Sequence, residues 1–317
     1  MTWMPFVCLS AGFILSLRNL SRGFLRAIDI LTNITLIMLM LTIGANIGVN
    51  NSVISNLDSI GINCVVISLL AIFFSVIVTL LIEKTILPLD EVSKKLALEK
   101  MSINDEVDIS EEENKKTSPL IWIMPISIIM GVIFGYFIIP QDRTVILDDL
   151  LTASLIVLYT CVGISLGSNR KVFKYIKVLG FKIGFLSIAI LIGSLVGGIV
   201  SGIILSLPLN ISVISASGMS YYSLTGAYMT QVYGIETGTY GFIVNVMREF
   251  FTVLLLPLLI KITKGSPIAA GAAGNMDTML VPVTKFVGVE LGLVTLITGT
   301  ILTFVVPFIL PILYGFF

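Results

Sequence analysis

Long apolar runs separated by short polar stretches make up most of this 317-residue chain. A helix needs ~20 mainly apolar residues to cross the hydrocarbon core of a bilayer. Runs on this scale cover 2–17, 28–49, 60–82, 119–139, 146–168 and 178–205, then 211–233, 238–260, 267–284 and 286–315. Gly, Ser, Thr, Asn and Pro interrupt 211–233 and 267–284, which are therefore expected as re-entrant or broken segments rather than plain spans. The pattern predicts an all-α polytopic membrane protein of about eight spanning helices plus two such segments. Composition agrees: 56% of residues are hydrophobic and mean hydropathy is +1.05, so no length remains for a large soluble domain. The first run has no charge before it and its arginines after it, so it reads as a first span and not as a cleaved signal.

One stretch departs from the pattern. Residues 83–118 mix lysines with Asp105, Glu106, Asp108, Glu111, Glu112 and Glu113, the composition of a solvated linker. The chain divides accordingly into a three-helix unit at 1–82, a cytoplasmic linker at 83–118, a second three-helix unit at 119–206 and a core at 207–317. Loop charge sets the orientation. Arg18, Arg22 and Arg26 follow the first span, six lysines lie in the linker, and Arg170, Lys171, Lys174 and Lys177 precede 178–205. The loop 50–60 has no basic residue and 140–145 has only Arg143. The N-terminus is thus expected outside. If 211–233 and 267–284 both turn back, Lys261, Lys264 and Lys285 fall in the cytoplasm and the C-terminus lies outside as well. Ten crossings, two of them by broken helices, is the alternative.

The two three-helix units match at a constant offset. Ile43-Gly44-Ala45-Asn46-Ile47-Gly48-Val49-Asn50 aligns with Val162-Gly163-Ile164-Ser165-Leu166-Gly167-Ser168-Asn169, and Asp29, Val53 and Gly61 align with Asp148, Val172 and Gly180. An odd number of spans per unit gives the units opposite orientation, the inverted repeat common among secondary transporters. Chance matching of glycine-rich apolar helices stays open. A weaker echo links Ser215-Ala216-Ser217-Gly218-Met219-Ser220 to Gly271-Ala272-Ala273-Gly274-Asn275-Met276.

Candidate chemistry narrows the picture further. Formal net charge is +0, which removes the basic footprint of a nucleic-acid partner. There is no histidine, so Ser-His and Cys-His nucleophile pairs and most zinc sites are excluded, and Cys8, Cys64 and Cys161 stand apart in apolar segments. No metal site and no cofactor is expected, and the chain does not read as an enzyme. Charge inside the bilayer is costly and usually functional. Along 238–260, Gly241, Asn245, Arg248, Glu249 and Thr252 recur at helical spacing and form a polar stripe, with Glu249 near its centre. Glu249 then either lines a path for a cation or proton, or pairs with a basic residue to join two helices. Asp277 follows Gly271, Gly274 and Asn275, where freed carbonyls suit a cation site, although Asp also caps half-helices. The segment 211–233 is uncharged and carries Ser217, Tyr222 and Ser223, with Gly218 and Gly226 permitting close backbone approach. It suits a zwitterionic ligand, or its small residues merely let helices pack closely. The substrate- or proton-binding set is therefore Glu249, Asp277, Asn245, Asn275, Ser217, Tyr222, Ser223 and Arg248.

Leu207-Pro208-Leu209-Asn210, Ala216-Ser217-Gly218, Tyr222-Ser223-Leu224, Arg248-Glu249, Pro257 and Met276-Asp277 resemble, in order and spacing, the lysine exporter LysO family of bacterial inner-membrane proteins. The resemblance is best over 207–285, and 28–206 is similar only in pattern. It implies efflux of L-lysine or a similar cationic amino acid in antiport with protons, with intramembrane acids that fall on Glu249 and Asp277. It also implies residence in the bacterial cytoplasmic membrane, with H⁺ as coupling ion; homo-oligomerisation is left open. A transporter of another small cationic or zwitterionic solute, with Na⁺ as coupling ion, is the alternative, ahead of a channel or an intramembrane enzyme.

Overall fold

The computed structural model describes residues 4–16, 20–89, 92–93, 120–140, 144–168 and 182–317. These fold into helices α1 (Met4–Ser16), α2 (Arg22–Val49), α3 (Asn51–Ser55), α4 (Leu57–Thr85), α5 (Leu120–Phe137), α6 (Thr144–Ser168), α7 (Ile183–Leu205), α8 (Leu209–Ser217), α9 (Tyr222–Tyr233), α10 (Ile235–Ile262), α11 (Gly265–Gly271), α12 (Leu280–Val287) and α13 (Gly292–Phe316). No strand occurs among the described residues. Among the described residues, six helices are long and apolar enough to cross a membrane: α2, α4, α6, α7, α10 and α13. The apolar α1 and α5 are shorter, so the eight expected spans take the form of six long helices and two shorter ones. Most of the linker, and loop 169–181 with Val172 and Gly180, lie outside the described residues.

Small residues decide how the first six long elements pair, because in lipid helix association relies on close backbone contact rather than on apolar burial. On α2, a Cβ at Gly44 would collide with the Ile128 carbonyl of α5, and one at Gly131 of α5 with the Leu41 carbonyl of α2. On α6, a Cβ at Gly163 would collide with the Leu9 carbonyl of α1, and one at Gly12 of α1 with the Thr160 carbonyl of α6. Helices α4 and α7 pack antiparallel, with Gly193 against Ser75 and Gly197 against Ala71. Thus α1 pairs with α6, α2 with α5, and α4 with α7.

The remaining helices take their direction from this frame. Asn63 near the start of α4 donates to the Tyr240 hydroxyl near the start of α10 at 3.1 Å, and Glu83 near the end of α4 accepts from the Gly265 N–H just after α10 at 3.2 Å. So α10 runs parallel to α4. Helix α8 runs antiparallel to α7, with Gly202 beside Ser212 and Gly198 beside Val213. Helix α9 runs antiparallel to α10, with Gly238 beside Thr230 and Gly226 beside Phe242. It follows that α8 enters from the end where α7 finishes and α9 leads back to that same end. A sharp turn at Gly234, with φ 92°, then opens α10. At ~1.5 Å per residue, α8 with 9 residues and α9 with 12 are each too short to cross ~30 Å of hydrocarbon. The second broken segment mirrors this from the other end. Helix α11 starts beside Glu83, α12 ends at Gly288 with Thr284 beside Gly292, and α13 runs back until Tyr314 packs edge-on against Tyr233 at 5.2 Å. The two tips meet in the interior, where the Ala273 N–H donates to the Met219 carbonyl at 2.9 Å.

Candidate functional site

Most of the sequence-selected residues gather where the two tips meet α10. The polar stripe of that helix splits two ways. Gly241, Asn245, Arg248 and Thr252 are buried, whereas Glu249 is only half-buried. Neighbouring residues project ~100° apart on a helix, so Arg248 and Glu249 serve different neighbours.

Arg248 is 1% exposed, and all its hydrogen bonds go to neutral oxygens. Its Nη1 donates to Ser194 Oγ of α7 at 2.8 Å and its Nη2 to Ser75 Oγ of α4 at 3.2 Å. Its Nε and Nη2 donate to the Ala270 and Ala269 carbonyls at 3.2 and 3.1 Å. Those carbonyls close the last turn of α11, where helical acceptors lack partners of their own. The two serines lie 3.1 Å apart, Oγ to Oγ. Arg248 therefore fastens α11 to the α4–α7 seam. It does not neutralise Glu249.

Glu249 reaches the second broken segment. Its Oε1 accepts from Thr278 Oγ1 at 2.8 Å, and a Cβ on Gly274 would lie 2.8 Å from the same oxygen. Glycine at 274 thus lets the carboxylate approach the turn. Asp277 follows three residues later; its Oδ1 accepts from the Thr278 N–H, and the residue is exposed. Glu249 and Asp277 lie close enough to interact electrostatically with each other and with the Tyr222 hydroxyl. The sequence-selected residues Glu249, Asp277, Tyr222 and Gly274 are thus brought together.

Asn245 and Asn275 have other duties. Asn245 Oδ1 accepts from the Ser220 N–H at 2.8 Å, and its Nδ2 donates to the Ser215 and Gly241 carbonyls at 2.9 and 2.7 Å. It clamps the first tip. Gly218 lies directly against it, since a Cβ there would meet the Thr225 hydroxyl and stand 2.5 Å from Asn245 Nδ2. Ser217 is fully buried and donates to the Ile214 carbonyl at 2.7 Å; Ser223 is buried beside Tyr222, whose ring packs edge-on against Phe242 at 5.7 Å. Gly226 admits Phe242, with 2.8 Å between an added Cβ and the Phe242 Cβ. Asn275 Nδ2 donates to the Ile268 carbonyl at 2.7 Å across the short helix, and Gly271 makes room for its amide. Both tips hold unusual backbone: Met219, Ser220 and Ala272 adopt φ of 50°, 78° and 49°. Conformations rare for side-chain-bearing residues cluster at functional turns. Both tips also carry buried polar atoms without partners, Ser220 Oγ and Asn275 Oδ1.

A family profile described as Lysine exporter LysO matches residues 126–314, more than half of the chain and every residue of this site except Ser75. The chain belongs to the lysine exporter LysO family. It is 27% identical over 183 residues to the lysine exporter LysO of Escherichia coli strain K12, covering 57% of this chain and 61% of that protein. It is also 27% identical over 191 residues to a putative lysine exporter of Haemophilus influenzae, covering 60% of this chain and 96% of that protein. The chain thus spans about three-fifths of the length of the first of these relatives. No solved structure matches it. The LysO-family match leaves α1, α2 and α4 outside its bounds, so the Ser75 contact to Arg248 comes from a part of the chain the profile does not reach. Ser75 and Ser194 were missed by sequence reasoning, although a signal was present: they differ by the same offset of 119 that relates Gly44 to Gly163.

Proposed function

We propose that this membrane protein exports L-lysine or a similar cationic amino acid from the cytoplasm in exchange for protons, with Glu249 and Asp277 as the shared proton and cation sites. The observation that carries the reading is the separation within α10. Arg248 spends its donors on neutral oxygens, while the adjacent Glu249 meets only hydroxyl and carboxyl chemistry at the second tip. Moving a cation out against an inside-negative potential costs ~2.3 kcal/mol per 100 mV. A proton entering for each lysine leaving cancels that cost. Placing the protein in the bacterial cytoplasmic membrane, loop charge puts both termini outside. The segments 211–233 and 267–284 then enter from the outer and inner faces and turn back. Inverted repeats are supported by the exchange of partners under the offset of 119: Gly12 and Gly131, Gly44 and Gly163, and Ser75 and Ser194 occupy equivalent contacts.

The test is lysine efflux from cells loaded with a lysine-containing dipeptide, comparing the unaltered protein with Glu249→Gln and Asp277→Asn. Lowered internal lysine with the unaltered protein, and failure of both variants at equal membrane abundance, supports the reading. No lysine movement by the unaltered protein removes the substrate assignment; normal export by both variants removes the mechanism.

A further inference from the structure

A cleft of about 810 Å³ opens at the end of the molecule where α2 finishes, α6 begins and α9 meets α10, well away from the carboxylates at the tips. Asp148 and Asp149 at the start of α6 line it and are both exposed. Among the described residues no lysine or arginine lines it. Across from them stand the amides of Asn46 and Asn50 on and just after α2, and Gln231 of α9, whose Nε2 donates to Thr152 Oγ1 at 3.3 Å. Asn46 lies one helical turn deeper than Asn50. It is 7% exposed, and its Nδ2 has no hydrogen-bond partner. A buried amide N–H₂ without an acceptor is destabilising unless something in the cleft supplies one. Val49, Leu151 and Ile235 complete the wall with apolar surface.

These features ask for a ligand with three properties together: a cationic end for the two carboxylates, an acceptor for Asn46 Nδ2, and a short apolar middle. A cationic amino acid has all three. We propose that this cleft is a second, weaker binding site for the cationic amino acid, on the release side of the protein, with Asp148 and Asp149 holding the side-chain ammonium and Asn46 the carboxylate. This rests on the export reading, which places this end of the molecule outside. Because α9 forms one wall, a movement of the first broken segment during transport would change the cleft at the same moment as it changes the tips.

The experiment is equilibrium binding of radiolabelled L-lysine to the full-length protein in lipid nanodiscs at low salt. Glu249→Gln with Asp277→Asn disables the tip site, and a weaker lysine-binding component is expected to remain. Adding Asp148→Asn and Asp149→Asn, both exposed and so harmless to folding, should weaken that component by about tenfold. Norleucine, which keeps the α-ammonium and carboxylate but lacks the side-chain ammonium, should not compete for it. The proposal is overturned if the tip variant binds no lysine while the unaltered protein does, if the cleft substitutions leave the weak component unchanged, or if norleucine competes as well as lysine. If the unaltered protein itself binds no lysine, the export reading falls and takes the cleft with it, a result distinct from loss of the weak component alone.

Discussion

The two broken segments are built on one plan and carry opposite chemistry. The first, α8–α9, holds no charge, and its tip is clamped by two hydrogen bonds of Asn245, to Ser220 and Ser215. The second, α11–α12, is tied to the scaffold through Arg248 at its helical end, but its turn carries Asp277 and receives Glu249 through Thr278. A buried guanidinium needs oxygen on every side, and Arg248 has it from α4, α7 and α11. Glu249 has one hydroxyl. The lesson is that adjacent charges on one helix divide the work: one fixes the segment in place, the other reaches only a hydroxyl at the turn.

Substitutions that break this contrast are expected in descending order of effect. Arg248→Met should cost the most, on the order of 3 kcal/mol, because it strips the shared donor from two serines and two carbonyls at once. Thermal unfolding in detergent would show it as a lowered Tm, and Arg248→Lys should recover only part, having three donors for four acceptors. Asn245→Leu comes next, at about 1–3 kcal/mol, since it leaves the Ser220 N–H and Ser215 carbonyl unpaired. The same measurement checks it. Gly274→Ala should sharpen the contrast by leaving Tm within a few degrees while cutting lysine efflux severely, because its Cβ displaces the Glu249 carboxylate. If Gly274→Ala instead lowers Tm as much as Asn245→Leu, the second turn is structural like the first. Thr278→Val is the mildest, worth about 1 kcal/mol, and should shift the pH dependence of efflux more than its maximum.

Much of this was legible in the sequence because a bilayer leaves so few options. Apolar length placed the spans, and the clustering of Gly, Ser and Asn marked both interruptions, since unpaired backbone at that depth needs protein or water around it. Glu249 and Asp277 stood out for the cost of their charges. Less legible was which side of the α10 stripe faces the scaffold. Helical spacing put Asn245, Arg248 and Glu249 on one polar stripe, yet their partners outside the helix lie 21 to 173 residues away, in contacts that no local pattern encodes. Asn245 therefore looked like a solute ligand and is found holding Ser215 and Ser220. Ser75 and Ser194 look like any other serines in apolar helices until Arg248 is placed between them.

The central claim is that Glu249 and Asp277 trade a proton for an ammonium group. It is tested most directly in proteoliposomes carrying an internal pH indicator, with lysine supplied on one side only. The account predicts that a lysine gradient alone drives proton movement in the opposite direction, and that Glu249→Gln abolishes both fluxes together. Lysine movement without any proton movement, or undiminished coupling in Glu249→Gln, would contradict it.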